Sequence, residues 1–507
     1  MWLSIIVSLA LIYILTWVYK RHRALNVLQS LGYSVPPVNF FCGNLLELVK
    51  CSNGGLDTQT KWMTDFAQGF GTKGRILGWY RGPSPVIYST NPEFLKEVFI
   101  KQSDTFIDRP MLDRSDNIPH LIMLKGHHWK RVRSILTPTF SSAKMKKMAS
   151  IMVDAIDILS QVVTKHAVNK TEANFYNLYQ GLTLDVIGQC GLAMKVNCQL
   201  DENDELLVMV KKTLKQQFDV TAIIASFFPE LEGILSWMYR GGRKKTNDVI
   251  ISWCDDILKK RRKMGHPPGE KPIDSLQLMM DAAAGDPKKL SDEEITANAF
   301  VFILAGYETT ATSLAFTTYL IAAHPEVQEK LIAEIDALIP EGGKSQLELE
   351  KLTETILDMP YLNQVFNESL RMYPPIPLHF GRWADTDKVI CGKVVPKGTA
   401  VMIPTWYIHH DPDLWPDPWK FDPERFSPES RNSIKEMSFV PFGEGPRKCI
   451  GSRFANLEAK LALVLLLRKF TFKLGPNITH PIKFRNKGIS LGPQNDEILL
   501  VPELRNK

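Results

Sequence analysis

The stretch Phe442-Gly443-Glu444-Gly445-Pro446-Arg447-Lys448-Cys449-Ile450-Gly451 decides the fold of this chain. Its three glycines let the backbone turn sharply and approach a flat ligand closely. Cys449 stands just before an apolar helix pattern, and a helix N-terminus stabilises a thiolate through its free N–H groups and its dipole. A thiolate held in this way can ligate iron axially, and Arg447 can pair with an acidic group of a cofactor. A plain core cysteine, the alternative, requires neither the glycines nor Arg447.

A long, nearly uniformly apolar helix pattern precedes this loop. Ser291-Asp-Glu-Glu294 forms a capping box, and the pattern continues to Ala323, where His324-Pro325 ends it. A helix of this length measures about 50 Å. Its interior carries one charged residue, Glu308, within Ala305-Gly306-Tyr307-Glu308-Thr309-Thr310. A carboxylate is costly in apolar surroundings, so it needs a partner or a task. The pattern therefore indicates a proton-transfer site, with a structural ion pair or a second membrane span as alternatives.

The rest of the chain is predicted to be mainly α-helical with a minor β portion. Residues 76–88 indicate a hairpin that turns at Gly82-Pro83, and shorter strand patterns lie at 389–395 and 399–404. Residues 265–286 are polar and contain proline and glycine, so much of that stretch is expected to be a loop. A final buried helix is expected over residues 451–468.

Composition narrows the class of protein. The chain has 507 residues, 44% of them hydrophobic, and a net charge of +6. This charge excess is too small to indicate a nucleic-acid partner, and no nucleic-acid-binding motif is present. The seven cysteines form no zinc-binding pattern, and they are too few for a disulfide framework in so long a chain. We therefore expect a large catalytic body facing a reducing compartment.

The first residues are expected to anchor the chain in a membrane. Trp2–Tyr19 carries no charge and is followed directly by Lys20, Arg21, His22 and Arg23. That length is enough to span a bilayer, and the positive charges after it hold the body in the cytosol. The sequence therefore divides into an anchor at residues 1–23, a linker containing Pro36-Pro37 at residues 24–44, and a catalytic domain at residues 45–507.

The cysteine loop resembles the haem-binding loop of the cytochrome P-450 superfamily, Phe-x-x-Gly-x-Arg-x-Cys-x-Gly, and matches it at every fixed position. Further landmarks of the superfamily follow in order from about Pro36 to the C-terminus. Residues 129–148 and Phe227-Phe228-Pro229-Glu230 are similar to the microsomal branch. That branch contains drug- and steroid-oxidising enzymes and thromboxane synthase. The resemblance implies the cytochrome P-450 fold with one N-terminal transmembrane helix.

The resemblance also implies roles for individual residues. Cys449 is expected to ligate the iron of haem b. Glu308 and Thr309 are expected to deliver protons beside iron-bound oxygen. Residues expected to contact the haem, several of them at its propionates, are Trp129, Arg133, Ala305, Arg382, Phe442 and Arg447, with His379 as an alternative to Arg382. A Glu–Arg–Arg network with a structural role is expected at Glu368, Arg371 and Arg425.

Partners and substrate surfaces follow from the same resemblance. Electrons are expected to come from NADPH-cytochrome P-450 reductase, and cytochrome b5 is a second possible donor. Basic residues expected on the docking face are Lys130, Arg131, Lys144, Lys146, Lys147, Lys448 and Arg453. Segments expected to line a pocket for a small lipophilic substrate are 106–124, 300–309, 376–378 and 488–491. Residues 198–243 are expected to form a mobile lid that also touches the membrane.

The resulting hypothesis is a haem-thiolate monooxygenase of the endoplasmic reticulum membrane, with its catalytic domain on the cytosolic side. It would insert one oxygen atom from O2 into a xenobiotic, a steroid or a fatty-acid-like substrate. Two alternatives remain open at this point. One is a haem-thiolate peroxide isomerase similar to thromboxane synthase, although such an enzyme needs no delivered protons. The other is a non-catalytic haem- or lipid-binding protein tethered to the membrane.

Overall fold

The computed structural model describes residues 2–47, 75–110, 118–192, 194, 196–217, 227–228, 243–264, 274–284, 290–339, 346–486 and 490–505. Helices are numbered in chain order: α1 Trp2–Ser30, α2 Pro92–Lys96, α3 Gly126–Leu136, α4 Ser142–Asn169, α5 Phe175–Leu192, α6 Glu205–Gln217, α7 Arg243–Met264, α8 Ser275–Ala284, α9 Asp292–Ala323, α10 Pro325–Leu338, α11 Gln346–Asp358, α12 Pro360–Met372, α13 Thr405–His409, α14 Pro428–Arg431 and α15 Ser452–Leu467. A π-helical segment spans Glu97–Lys101, and 3-10 segments span Thr137–Phe140 and Pro423–Phe426.

Strands are numbered in the same way: β1 Ile76–Arg81, β2 Ser84–Ser89, β3 Ala173–Asn174, β4 His379–Trp383, β5 Lys388–Ile390, β6 Lys393–Val395, β7 Ala400–Ile403, β8 Phe470–Leu474, β9 Phe484–Asn486, β10 Leu491–Pro493 and β11 Leu499–Leu504. The largest sheet has the order β1-β2-β7-β4, and a second has the order β3-β11-β8. Two antiparallel pairs, β5–β6 and β9–β10, complete the strands. The prediction of a mainly α-helical fold with a minor β portion is confirmed.

Helix α9 forms the centre of the helical body. It begins at the predicted capping box, where the Ser291 side chain accepts from Glu294 N and the Glu294 side chain accepts from Ser291 N. From Glu294 to Ala322 every residue is buried except Ala305, Gly306 and Thr309. Helices α5, α12 and α15 pack around it. A membrane span would expose its apolar side chains to lipid, so this burial makes α9 an internal helix.

The hairpin predicted around Gly82-Pro83 is confirmed as β1 and β2, which pair antiparallel from Ile76↔Ser89 to Arg81↔Ser84. Strand β2 continues the sheet through a parallel pairing with β7, and β7 pairs antiparallel with β4. A hydrophobic cluster separate from the helical core covers this sheet. The sheet matters for the site because β4 carries Arg382.

The N-terminal helix extends beyond the predicted anchor. Helix α1 runs to Ser30, so the division expected at residue 23 falls inside it. Leu25 and Leu28 are buried in the cluster that covers the sheet. Arg21 is also buried, and its guanidinium donates to the backbone carbonyls of Phe40, at 3.1 Å from Nε, and Phe41. Residues 24–30 therefore continue the helix from the apolar segment into the body.

One secondary-structure prediction was wrong. The loop expected over residues 265–286 contains helix α8, because Leu276 and Met279 are buried against the neighbouring helices. This tertiary burial outweighs the local polarity. Most of the expected lid, residues 218–226 and 229–242, lies outside the described residues, although α6 and the first residue of α7 fall within the expected range.

Candidate functional site

The cysteine loop is a tight backbone turn directly before α15. Cys449 N donates to Phe442 O at 3.0 Å, and Lys448 N donates to Gly445 O at 2.9 Å. Gly445 has a φ of +76°, and a Cβ atom there would lie 1.9 Å from the carbonyl oxygen of Phe99. Because only glycine tolerates both conditions, the loop can approach the π-helical segment this closely. Phe442 is partly buried and packs against the helical core.

The Cys449 side chain is solvent-accessible, although the surrounding protein partly desolvates its thiol. Burial raises the pKa of its thiol, whereas the Gly451 N–H and the positive charges of Arg133, Arg109 and Lys448 act to lower that pKa. The local environment therefore leaves the sulfur accessible to a ligand and supplies donors and charges that favour its thiolate form.

Arg447 lies beneath this loop with its side chain buried. Its Nε donates to Ile107 O at 2.9 Å, and its Nη2 donates to Leu124 O at 2.8 Å and lies 3.2 Å from Asp108 Oδ1. The guanidinium also stacks 4.2 Å from the ring centroid of Trp129, which is itself buried. The sequence analysis predicted that Trp129 and Arg447 bind the same ligand, the haem. In the structure, these two side chains are in contact with each other.

Arginines from four separate segments converge here: Arg109, Arg133, Arg382 and Arg447. Burial lowers the pKa of each, to about 10 for Arg109 and about 9 for Arg447. Arg109 further lowers the pKa of both Arg382 and Arg447, so the positive charges repel one another. Among the described residues, the buried Nη1 of Arg447 has no hydrogen-bond partner. Such a cluster calls for an anionic ligand, and the two propionates of a haem fit it.

Arg109 and His120 lie within the segment 106–124 expected to line the substrate pocket, but neither was predicted to contact the haem. Arg109 Nη2 donates to Arg447 O at 3.4 Å, and burial together with the Arg109 charge lowers the pKa of His120 to about 4. Neither residue stands in a motif, so the sequence carried no signal for them. The Arg133 guanidinium donates to Lys448 O at 2.9 Å, which ties α3 to the cysteine loop. Arg382 is buried on β4 with its guanidinium 4.9 Å from the Phe99 ring, whereas the His379 side chain lies outside the described part.

Helix α9 contributes a small accessible face opposite its packed sides. Ala305, Gly306 and Thr309 are the residues of its interior that are not buried, and Ala305 and Thr309 lie one turn apart. Thr309 Oγ1 donates to Ala305 O at 2.7 Å. Of these residues, Thr309 was expected beside the iron-bound oxygen together with Glu308, and Ala305 was expected to contact the haem. Ala305 and Thr309 therefore share a face of α9 that a ligand can reach.

Glu308 lies beside that face but points elsewhere. Its carboxylate is buried, with Oε1 accepting from the phenol of Tyr176 and Oε2 accepting from Gln180 Nε2 at 3.1 Å. The Glu308 carboxylate thus accepts from two neutral donors on α5. Thr183 on the same helix donates to Tyr307 O at 2.9 Å, so α5 binds α9 at the turn that carries Glu308.

The predicted Glu–Arg–Arg network forms. Arg371 Nε and Nη2 donate to the two oxygens of Glu368 at 2.7 and 2.8 Å, and both residues are fully buried. Arg425 Nε lies 3.4 Å from Glu368 Oε1. Arg371 Nη1 donates to His409 O at 2.7 Å, and His409 Nε2 accepts from Val440 N at 3.0 Å. The network thus reaches the backbone two residues before Phe442.

Several expected pocket segments meet at α9. Leu491 N donates to Pro375 O at 2.9 Å, and Thr312 Oγ1 lies 3.3 Å from Leu491 O. This brings the start of β10 and the proline segment after α12 together beside the helix. Residues 111–117 and 488–489 of the expected lining lie outside the described part of the chain.

The basic residues expected on a docking face are solvent-accessible. Some of them are paired: Lys130 with Asp104 at 2.8 Å, Lys146 with Glu354, and Lys448 with Glu444 at 2.8 Å. Lys147 and Arg453 are exposed. Exposed pairs weaken the field of a surface without removing it, so the face keeps a positive bias.

Comparison with known proteins agrees with this geometry. The family model described as Cytochrome P-450 matches residues 34–500. Cytochrome P-450 3A13 of Mus musculus is 33% identical over 99% of this chain and 96% of its own length. Cytochrome P-450 3A5 of Homo sapiens is 32% identical over the same shares. Cytochrome P-450 3A56 of Fundulus heteroclitus is 33% identical over 85% of this chain and 86% of its own length.

Proposed function

The chain belongs to the cytochrome P-450 family of haem-thiolate monooxygenases, and we propose that it oxidises a small lipophilic substrate with electrons from NADPH. It binds haem b through a cysteine thiolate, as the family does. We propose Cys449 as that cysteine. Xenobiotics, steroids and fatty-acid-like molecules are the proposed substrate classes.

One observation carries the proposal: the accessible Cys449 lies beside arginines from four segments of the chain, whose positive charges repel one another. The Cys449 sulfur would bind the haem iron, and the guanidinium groups of Arg109, Arg133, Arg382 and Arg447 would supply positive charge for the propionates. Trp129 packs under Arg447 and fixes the plane of its guanidinium. The small side chain of Ala305 on α9 would contact the haem, and Phe442 packs the loop against the core.

The protein's own part in the reaction is binding, exclusion of water and proton supply. Bound haem supplies the activation of O2, from which one oxygen atom enters the substrate and the other leaves as water. The apolar side chains of α9 are buried against neighbouring helices and keep bulk water away from the turn that carries Glu308. Thr309 Oγ1 offers a hydroxyl at its accessible face, and Glu308 is the neighbouring group that can hold a proton at its carboxyl oxygens.

Replacing Glu308 with glutamine, or Thr309 with alanine, is expected to keep the haem spectrum but to uncouple electron use from product. Positioned proton donors contribute about 100-fold or more to such steps, so product per NADPH should fall by roughly tenfold. Product, NADPH and hydrogen peroxide measured in one assay give the ratio. Thr317→Ala, which removes a buried hydroxyl from the same helix, is the control. Normal coupling in both site variants would remove these residues from proton delivery.

The source of electrons separates this function from its rivals. Purified full-length protein is mixed with NADPH-cytochrome P-450 reductase, with or without cytochrome b5, and with testosterone as a lipophilic probe. We expect an oxygenated product only when both NADPH and reductase are present. Conversion of an organic peroxide without either component would instead indicate an isomerase. Haem binding with no turnover on lipid, steroid and xenobiotic probes would indicate a binding protein.

Charge reversal on the docking face should weaken the functional interaction with reductase. We expect Lys147→Glu with Arg453→Glu to raise the reductase concentration for half-maximal turnover roughly tenfold at low salt, and less at high salt, because salt screens exposed charges. The control is Lys473→Glu on β8, another exposed lysine. Equal shifts in both proteins would contradict docking at this face.

Helix α1 is proposed to anchor the protein in the endoplasmic reticulum membrane, with the body in the cytosol. All side chains from Trp2 to Leu15 are exposed, and the 18-residue apolar window of this helix has a mean hydropathy of 2.0. The charges at residues 20–23 favour a cytosolic body. Residues 1–23 and 45–507 are the proposed anchor and catalytic domain, and the helical residues 24–30 connect them.

A further inference from the structure

The two donors to Glu308 lie on one face of α5. Tyr176 and Gln180 are one turn apart, Thr183 follows on the same face, and Ile187 comes one turn later. A Cβ atom on Gly306 would lie 3.2 Å from the Ile187 side chain, so the glycine allows the helices to approach closely. Helix α5 therefore contacts three successive residues of α9. Ile187 lies next to Gly306, and the Thr183 hydroxyl donates to the Tyr307 carbonyl. Tyr176 and Gln180 donate to the Glu308 carboxylate.

The Glu308 carboxylate turns toward α5 and away from the accessible face of α9. Residues 305 and 309 share that face, whereas residue 308 lies about 100° around the helix from residue 309. Tyr176 and Gln180 are themselves buried, so the carboxylate is enclosed by its donors. A proton at Glu308 reaches the Ala305–Thr309 face only after the carboxyl group leaves Tyr176 Oη and Gln180 Nε2.

We propose that Tyr176 and Gln180 are positioning residues that hold the Glu308 carboxylate against α5, and that its release from them limits proton delivery. This inference rests on the proposed role of Glu308 as the proton carrier. No covalent bond changes in the holding step. The hydrogen bonds from Tyr176 and Gln180 break, and the carboxylate rotates to the accessible face. There it takes up a proton from solvent water and passes it to the acceptor, which leaves the carboxylate ionised as before.

The phenol is suited to this task because it stays protonated. Burial, followed by the Glu308 carboxylate, raises the pKa of Tyr176 well above its usual range, so the hydroxyl remains a donor. A hydrogen bond to an ionised carboxylate is shorter and stronger than one between neutral groups. Thr312, one turn beyond Glu308 on α9, also contacts this phenol. The Tyr176 phenol is thereby held by Glu308 and Thr312, which lie one turn apart on α9.

The test compares two tyrosines on α5 that make the same kind of contact. Tyr176→Phe removes the donor to Glu308. Tyr179→Phe removes a hydroxyl that lies 2.8 Å from Thr318 Oγ1 on α9, and Tyr179 is equally buried. In the reductase system with testosterone, we expect Tyr176→Phe to raise NADPH consumption and to reduce the solvent deuterium isotope effect on it, each at least twofold. Tyr179→Phe should leave both unchanged, and Gln180→Leu should act like Tyr176→Phe.

A measurement independent of turnover tests the contact itself. Thermal unfolding of the resting protein is compared for Tyr176→Phe, Glu308→Leu and the double variant. We expect the double variant to lose little more than the larger single loss, whereas Tyr179→Phe with Glu308→Leu should be additive. Additivity of Tyr176→Phe with Glu308→Leu, or a wild-type isotope effect in Tyr176→Phe, overturns the positioning role.

The failure of the positioning role can be told from failure of the proposed function. If Glu308→Gln uncouples turnover while Tyr176→Phe matches the wild type, proton delivery stands and the hold by α5 is wrong. If Glu308→Gln is fully coupled, the proton-carrier role fails first. An unchanged isotope effect in Glu308→Gln, together with a reduced one in Tyr176→Phe, would show that the tyrosine acts through another residue and would also overturn the proposal.

Discussion

Cys449→Ala is expected to abolish haem incorporation, or to remove the thiolate-type spectrum of the carbon-monoxide complex. Alanine keeps the loop's size and its hydrogen bond from residue 449 N to Phe442 O, because that bond uses the backbone. It removes the one atom proposed to bond iron. Monooxygenase activity should fall to background, since no neighbouring side chain offers a thiolate in its place among the described residues.

The control is Cys391→Ala, which changes an exposed cysteine on the β5–β6 hairpin far along the chain from the loop. We expect its haem content and carbon-monoxide spectrum to match the wild type. Absorbance of the reduced, carbon-monoxide-treated protein gives both quantities in one measurement. A thiolate-type band that persists in Cys449→Ala would refute Cys449 as the ligand and with it the proposed geometry of the site.

Local sequence patterns predicted the parts of this site that depend on neighbouring residues. The capping box at Ser291 and the glycines of the cysteine loop act within a few residues, so their structural meaning could be read directly from the chain. The start of α15 at Ser452 follows the same logic. The resemblance to a known family then supplied the roles that patterns alone left open.

Tertiary packing decided what the sequence could not show. Arg109 reaches the site because its segment passes beneath the cysteine loop, and no motif marks that approach. The direction of the Glu308 carboxylate depends on Tyr176, more than 100 residues earlier, which periodicity on α9 alone cannot reveal. Helix α8 was missed for the same reason, because burial of Leu276 against other helices stabilises this helix despite the polar sequence around it.

Glu368→Ala is expected to cost about 3–5 kcal/mol, because it leaves the buried Arg371 charge without its partner. Arg371 is fully buried, with the Glu368 carboxylate binding two of its nitrogens and the His409 carbonyl binding the third. A loss of this size takes up much of the roughly 5–15 kcal/mol that stabilises an ordinary domain. We expect little soluble protein, and weak haem retention in whatever folds.

We expect the haem to be lost together with the fold, because the Glu368–Arg371–Arg425 network contacts the start of the cysteine loop through the His409 side chain. His409 accepts from Val440 N and stacks on Phe439 at 5.4 Å, so displacement of Arg371 shifts the residues just before Phe442. Thermal unfolding and haem content per protein give the two readouts. Glu368→Gln, which keeps the shape and one acceptor oxygen, should fall between alanine and the wild type.

A surface ion pair with similar helical spacing provides the matched control. Glu97 and Lys101 are joined at 2.6 Å, yet Lys101 is about half exposed, so water replaces the lost contact. Glu97→Ala should therefore leave both the unfolding temperature and the haem content near the wild type. If Glu368→Ala behaved the same way, the buried pair would contribute no more than a surface pair. The connection from α12 through His409 to the cysteine loop would then have no role in holding the ligand.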